Sequence, residues 1–158
     1  MKNITKTIMY LQMTALCLTA ALAGPAAAEK QVPFRGTIQA VEVVDIQFPT
    51  MFVQGSGTGQ AAHLGQFTFT YVFEVDLLTG CGVGSADFTA ANGDSLFTEV
   101  TGCGSPSELG FRVVEEHTIV GGTGRFASAS GSFTLDRLLT GVGNTNLSVG
   151  TIDGTISY

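Results

Sequence analysis

Residues 121–127 have the sequence GGTGRFA and directly follow an apolar run, TIV, at residues 118–120. Gly121, Gly122 and Gly124 place three glycines within four residues, and glycine readily adopts the backbone angles of a tight turn. The residues that follow, GSFTLD at 131–136, alternate between polar and apolar side chains as β-strands do. This stretch therefore predicts a turn that ends one strand and leads into the next.

The same alternation is clearest at residues 66–77, QFTFTYVFEVDL. The apolar side chains of this segment share one face, and the polar ones lie mainly on the other, as in a half-buried strand. Four aromatic residues of the apolar face are predicted to line the interior and to contact a bound ligand: Phe67, Phe69, Tyr71 and Phe73.

Strands separated by glycine turns are also predicted elsewhere, at 34–44, 111–120, 132–139 and 147–158. Residues 54–60, QGSGTGQ, predict a flexible loop or a bulged strand. With the two arms of a hairpin near residue 92, the count is seven or eight strands, and no helical period appears after the first 28 residues. This spacing is typical of an all-β barrel or sandwich.

A hairpin is predicted around Asn92 and Gly93, which lie between two alternating runs. Both residue types readily take positive φ, so Asn-Gly is a strong signal for a two-residue type I′ turn. Folding the chain there brings Cys81 and Cys103 nearly opposite each other, offset by one residue that a bulge at Gly82 or Gly84 could absorb.

Cys81 and Cys103 are predicted to form a disulfide that closes the open end of this hairpin, as is common in exported proteins. Zinc is the alternative, but one cysteine pair with two distant histidines lacks the spacing of a zinc site. We therefore predict no metal and no cofactor.

The first 28 residues predict a signal peptide, with Lys2 and Lys6 in a basic start, an apolar core at 8–22 and small residues up to Ala28. A membrane anchor is the alternative, but the apolar core is short and interrupted. A lipoprotein anchored at Cys17 is disfavoured because Leu16 precedes the cysteine. Cleavage after Ala28 would leave residues 29–158 as one secreted or periplasmic domain without stable membrane insertion.

The charge of the predicted mature chain limits its partners. The whole chain has 7 Lys+Arg and 13 Asp+Glu. Removing Lys2 and Lys6 leaves 5 against 13, a net charge of −8. An acidic protein is a poor partner for nucleic acid or anionic lipid.

Several turn segments resemble those of allene oxide cyclase-like and dirigent-like β-barrels, in particular bacterial exported relatives. They are GTGQAAHLG at 57–65, the strand that follows it, FTAANGD at 88–94 and GGTGRFA at 121–127. The resemblance covers most of the mature chain. It implies a closed antiparallel barrel of about eight strands with a mostly apolar cavity, often in homo-oligomers. Plant members act as cyclases or guide the coupling of phenoxy radicals.

Glu115, His117 and Arg137 are the candidate catalytic residues. If the alternate residues of their strand face inward, Glu115 and His117 form an acid/base pair on the cavity wall. If they face outward, they are an ordinary solvated pair, which we favour because an uncompensated buried charge is costly. Arg137 continues the alternation of Phe133 and is predicted to enter the barrel near one mouth.

His63 and Arg125 are predicted to have structural roles. His63 follows a glycine-rich loop that it would pin with a hydrogen bond. Arg125 lies in the glycine turn and would pair with a carboxylate or a turn carbonyl rather than bind an anion. The GTGRFA segment formally matches a dinucleotide-binding fingerprint, but a strand follows it where that motif needs a helix.

Two classes of function are therefore predicted. The first is an exported barrel that binds a small apolar or aromatic ligand or serves an envelope or interaction role. The second is an isomerase, cyclase or coupling-guide enzyme that works by cavity shape and one acid/base group. A barrel filled by its own phenylalanines would exclude ligand binding and catalysis, and a hollow one with Glu115 and His117 inside would favour the enzyme.

Overall fold

The computed structural model describes residues 30–142 and 145–158, so the predicted signal peptide and Cys17 lie outside the described residues. The described chain consists of eight long strands and one short 3-10 helix. The strands are β1 (Val32–Gln47), β2 (Thr50–Ala61), β3 (Gly65–Asp76), β4 (Cys81–Ala90), β5 (Ser95–Ser107), β6 (Gly110–Gly122), β7 (Ser130–Val142) and β8 (Thr145–Ser157).

Each strand pairs antiparallel with the next along the chain, and β8 pairs with β1. The sheet is thus a closed barrel without free edges, and the all-β barrel prediction is confirmed. Closure places alternate residues of every strand inside, where they form one continuous apolar core.

The GGTGRFA segment forms the predicted turn. Gly121 and Gly122 end β6, with Gly121 at φ +126°, and residues Gly124–Phe126 form the 3-10 helix that leads toward β7. Phe126 is fully buried there and closes this end of the barrel. Arg125 lies 3.8 Å from the Asp94 carboxylate across the turn, which matches its predicted structural role.

The prediction for residues 54–60 was wrong, because they form a regular part of β2. Their pairing with β1 and β3 is uninterrupted. The alternate glycines of β2 face the aromatic residues of β3 in register: Gly55 opposite Tyr71, Gly57 opposite Phe69, and Gly59 opposite Phe67. A Cβ atom at Gly55 or Gly59 would overlap the facing ring, so the glycines provide the space that these rings occupy.

The hairpin between β4 and β5 also differs from its prediction. Its loop is Ala91–Asp94 rather than a two-residue turn, and Gly93 has a positive φ of +88° while Asn92 does not. The longer loop changes the register by one residue, so Cys81 and Cys103 pair directly and β4 and β5 need no bulge. The two sulfur atoms are 2.08 Å apart, at disulfide distance, as predicted.

The interior of the barrel has two unlike halves. At the end where β2–β3, β4–β5 and β6–β7 connect, aromatic rings fill the space. These rings are Phe34, Phe67, Phe69, Phe88, Phe126 and Phe133, each no more than 4% exposed. At the other end, where β1–β2, β3–β4 and β5–β6 connect, the barrel is open.

Candidate functional site

The open half contains a cavity of about 920 Å³. Its walls are mostly apolar, and three of the lining positions on β4 and β5 are glycines that project no side chain into the space, Gly82, Gly102 and Gly104. The apolar lining includes Val44, Met51, Val53, Phe73, Val75 and Leu139. A cavity of this size and composition suits a small, largely apolar molecule.

The four aromatic residues predicted to contact a ligand all point inward but occupy different parts of the barrel. Phe73 lines the cavity. Tyr71 lies deeper, and its ring stacks on Phe69 with centroids 5.7 Å apart. Phe69 and Phe67 belong to the filled half, where both pack against Phe88. All four therefore line the barrel interior as predicted, while among them Phe73 alone lines the cavity.

The floor of the cavity is a buried cluster of charged side chains centred on Arg137. Its Nε and Nη2 atoms donate to Glu115 Oε1 at 2.9 and 2.7 Å. Its Nη1 atom donates to Glu42 Oε2 at 2.7 Å and to the Tyr71 hydroxyl at 3.1 Å. Tyr71 in turn donates to Glu42 Oε2 at 2.8 Å. One guanidinium thus holds two carboxylates that come from distant strands, β1 and β6.

This environment fixes the protonation of two of these groups. Burial raises the pKa of the Tyr71 hydroxyl well above its usual value, and Glu42 adds to this effect, although Arg137 opposes it. Burial alone would lower the pKa of Arg137, but Glu115, Tyr71 and Glu42 more than offset it, so the pKa rises. Tyr71 is therefore a neutral donor and Arg137 a permanent cation.

His117 lies below the cluster, between the floor and the filled half. Its ring stacks on Phe133 with centroids 4.4 Å apart, and Nδ1 is 3.0 Å from Thr98 Oγ1. Nε2 has no hydrogen-bond partner among residues 30–142 and 145–158 and lies 3.5 Å from Glu115 Oε2. His117 does not line the large cavity, whereas Glu115 does.

The outward orientation favoured for Glu115 and His117 was wrong, since each is only 2% exposed. The cost of burying Glu115 is offset by Arg137, which lies on the neighbouring strand and donates two hydrogen bonds to it. Arg137 itself enters the barrel as predicted.

Two glycines set the positions of these charged side chains. Gly102 on β5 pairs with Glu115, and Gly150 on β8 pairs with Arg137. A Cβ atom at Gly102 would lie 2.9 Å from Glu115 Cγ, and one at Gly150 would lie 2.8 Å from Arg137 Cβ. Both glycines therefore let a long side chain lie across the neighbouring strand.

Glu42 is the member of the site that the sequence analysis missed. It is 3% exposed, and its Oε1 atom accepts a long 3.4 Å hydrogen bond from Asn146 Nδ2. A signal was present in the sequence, because Glu42 has the same parity in β1 as the buried residues Phe34, Ile38 and Ala40. A carboxylate at an inward position of a strand predicts a buried partner.

His63 lies at the opposite end of the barrel, on the loop between β2 and β3. It is exposed, has φ +67°, and its Nδ1 atom is 3.0 Å from the Tyr158 hydroxyl. The hydrogen bond that we predicted for this histidine is present, and it joins the loop to the end of the described chain.

In residues 30–142 and 145–158, no three His, Cys, Asp or Glu side chains are grouped so that they could hold a metal ion. Within the same ranges, no helix has the length and apolar character needed to cross a membrane.

The fold and the site together define a small closed β-barrel with one filled half and one open half above a charged floor. Comparison of the chain with family models, with curated proteins and with solved structures gives no match. The relationship to allene oxide cyclase-like barrels stays a prediction from the turn motifs.

Proposed function

We propose that the protein is an exported barrel that binds a small, largely apolar molecule in the open half. The observation that carries this proposal is the cavity of about 920 Å³, with apolar walls and a floor formed by Glu42, Glu115 and Arg137. Apolar walls supply hydrophobic burial, and a few fixed polar groups orient the ligand.

The test is a calorimetric titration with phenylbutanol, a neutral molecule with an aromatic tail. We expect one site per chain with a dissociation constant below about 1 mM. Val44→Trp should weaken binding by about tenfold or more, because Val44 lines the cavity and the larger side chain occupies ligand space. The matched control is Val43→Trp, whose side chain lies on the outer face and is 52% exposed.

Absence of binding, or equal binding by the Val44→Trp and Val43→Trp proteins, would refute ligand binding in this cavity. Circular dichroism of both variants in the strand region checks that they are folded to the same extent.

Export is proposed from the N-terminal sequence pattern and is supported by the cysteine pair. Disulfides persist in oxidising compartments such as the periplasm or the extracellular space. The sulfur atoms of Cys81 and Cys103 are at bonding distance on paired positions of β4 and β5.

An isomerase or cyclase is the second candidate, and the position of Glu115 favours it. One carboxylate oxygen, Oε1, accepts both Arg137 hydrogen bonds, while the nearest described partner of Oε2 is His117 Nε2 at 3.5 Å. A carboxylate held in this way at a cavity wall can take a proton from a bound ligand and return it. An enzyme would be preferred if Glu115 and His117 both lay in the hollow of the barrel. Glu115 lines the cavity but His117 does not, so this condition is met only in part.

Proton transfer can be tested with phenylbutanone in deuterated water, followed by NMR. A C–H proton beside the carbonyl moves to Glu115, the electron pair moves to the ketone oxygen, and a deuteron then returns to carbon. We expect the exchange to be lost in Glu115→Gln and kept in Glu116→Gln, whose side chain is exposed. Exchange no faster than in buffer would count against catalysis while leaving the binding proposal intact.

A further inference from the structure

The charged side chains that line the cavity are two carboxylates and one guanidinium. The side chains of Glu42 and Glu115 are each 3% exposed, and that of Arg137 is 5% exposed. Among the described residues that line the cavity, these three are the charged ones. Two carboxylates share one guanidinium, so an ionised pair requires a second cation, either a protonated His117, whose Nε2 is 3.5 Å from Glu115 Oε2, or a cationic ligand.

The hydrogen bonds of Thr98 and His117 bear on the same region. Thr98 Oγ1 lies 3.2 Å from Ala86 O and 3.0 Å from His117 Nδ1, and when the hydroxyl donates to the carbonyl, Nδ1 is the donor to the hydroxyl. In the neutral form of this tautomer, Nε2 is an acceptor 3.5 Å from Glu115 Oε2, whereas in the protonated ring it carries a proton toward that oxygen. Nε2 is buried and has no hydrogen-bond partner among the described residues.

Each of the two carboxylates that line the cavity also has one oxygen without a short hydrogen bond from the described residues. Glu115 Oε2 has its nearest such neighbour, His117 Nε2, at 3.5 Å, and Glu42 Oε1 accepts a 3.4 Å contact from Asn146. A ligand group that donates several hydrogen bonds and carries a positive charge would satisfy these oxygens and balance the floor. An ammonium group has three donors and no acceptor.

We propose that the cavity selects amphipathic amines, with the protonated amino group on the Glu42–Glu115 floor and an apolar or aromatic tail along the walls. This proposal rests on the ligand-binding function proposed above and names its ligand class. Charge-assisted hydrogen bonds to a buried carboxylate are roughly twice as strong as neutral ones. The formal net charge of −6 also attracts cations toward the protein.

The apolar walls distinguish an amphipathic amine from a simple inorganic cation. A small hydrated ion would gain nothing from Val44, Met51, Phe73 and Val75, which line the space above the floor. A tail of about the size of a phenylbutyl group would be removed from water there, and the free energy of binding would include its hydrophobic burial.

The experiment compares three probes that share one tail and differ in the polar group: phenylbutylamine, phenylbutanol and phenylbutyrate. Each is titrated calorimetrically into the purified, oxidised protein at neutral pH. We expect the amine to bind about tenfold or more tightly than the alcohol, and the carboxylate to bind most weakly. This ranking is measured on the unmodified protein and does not depend on any variant.

Glu115→Gln and Glu116→Gln form a matched pair of variants on adjacent positions of β6, one facing the cavity and one facing solvent. The first should remove most of the preference for the amine over the alcohol, and the second should keep it. A thermal unfolding curve for each variant establishes that the comparison is made on folded protein.

Each outcome has a distinct meaning. An alcohol that binds as tightly as the amine, or a carboxylate that binds more tightly, would overturn selection for amines and leave ligand binding standing. No binding by any of the three probes would overturn both the proposed function and this inference. A preference for amines that survives in a folded Glu115→Gln protein would show that the selection arises elsewhere and would also overturn the inference.

Discussion

At the scale of single residues, the Tyr71 hydroxyl links the charged floor to the aromatic core. It donates to Glu42 at 2.8 Å and accepts from Arg137 at 3.1 Å, while its ring packs between Phe69 and Phe73. A serine or an aliphatic residue could not make both kinds of contact. Tyr71 therefore contacts both halves of the barrel, with its ring in the packed aromatic core and its hydroxyl in the charged cluster on the cavity floor.

The raised pKa of Tyr71 predicts a loss of stability in base. Burial favours the neutral phenol in the folded protein, whereas in the unfolded chain it ionises near its usual pKa of 10.0. The stabilising contribution is thus fully present below about pH 10 and is lost as the pH rises above that value. Tyr71→Phe should show a smaller decrease in urea midpoint between about pH 8 and about pH 11 than the unmodified protein.

Tyr158→Phe is the control for this measurement, because the Tyr158 side chain is 44% exposed. Its urea midpoints should fall with pH as those of the unmodified protein do. If Tyr71→Phe and Tyr158→Phe behave alike, the assignment of the base-sensitive group to Tyr71 is wrong.

At the scale of elements, β2 and β3 show how glycine and aromatic residues are matched across a strand pair. Every second residue of β2 between Gly55 and Gly59 is glycine, and each faces an aromatic ring of β3. The rings can lie flat over the neighbouring strand only because that strand carries no side chains at these positions.

Gly57→Ala tests this matching. The added methyl group would overlap Gln39 O and lie 2.7 Å from Phe69 Cε1. Overpacking of this kind lowers the free energy of unfolding by about 1–3 kcal/mol. This loss exceeds the roughly 0.5–1 kcal/mol by which alanine normally stabilises a strand relative to glycine. We expect a lower free energy of unfolding in urea, with little change for Ser56→Ala on the exposed face of the same strand. An equally stable Gly57→Ala protein would contradict the matching.

The disulfide belongs to the β4–β5 hairpin and joins its two strands at the cavity end. Replacing Cys81 and Cys103 together with alanine should lower the free energy of unfolding by about 2–4 kcal/mol, because the unfolded chain loses a covalent loop. Non-reducing peptide mapping of the exported protein should find the two cysteines in one linked pair. Free thiols at both positions would refute the bond.

Most of the strands and turns could be predicted from the sequence, and the errors have physical reasons. The alternation of polar and apolar residues is visible in the sequence of residues 66–77 because large apolar side chains occupy one face. It is not visible in residues 54–60, since a glycine has no side chain to indicate whether its position faces inward or outward. The inward orientation of Glu115 could not be inferred locally, because its partner Arg137 is 22 residues away and Glu42 is 95 residues from Arg137.

At the scale of the whole molecule, the closed sheet encloses a packed half, which contributes to stability, and an open half, where we propose that a ligand binds. The filled half contains most of the phenylalanines, and the open half contains the cavity and all three charged side chains of its floor. The same strands enclose both halves, so the side chains packed in the filled half also hold the strands that form the cavity walls.

Processing is also a property of the whole molecule. Intact mass spectrometry of periplasmic and culture fractions should show a chain that begins near Glu29, since cleavage is predicted after Ala28. A retained Met1 or a lipid on Cys17 would contradict the predicted signal peptide.

The most direct test of ligand binding in the open half is amide chemical-shift mapping of isotope-labelled protein during titration with phenylbutanol. We predict shifts that saturate together at residues around the cavity, such as Val75, Gly82, Gly102 and Val113. Residues at the filled end, such as Ala90 and Gly93, should remain unchanged. Shifts confined to the filled end or to the outer face, or no saturable shifts at all, would contradict binding in the cavity.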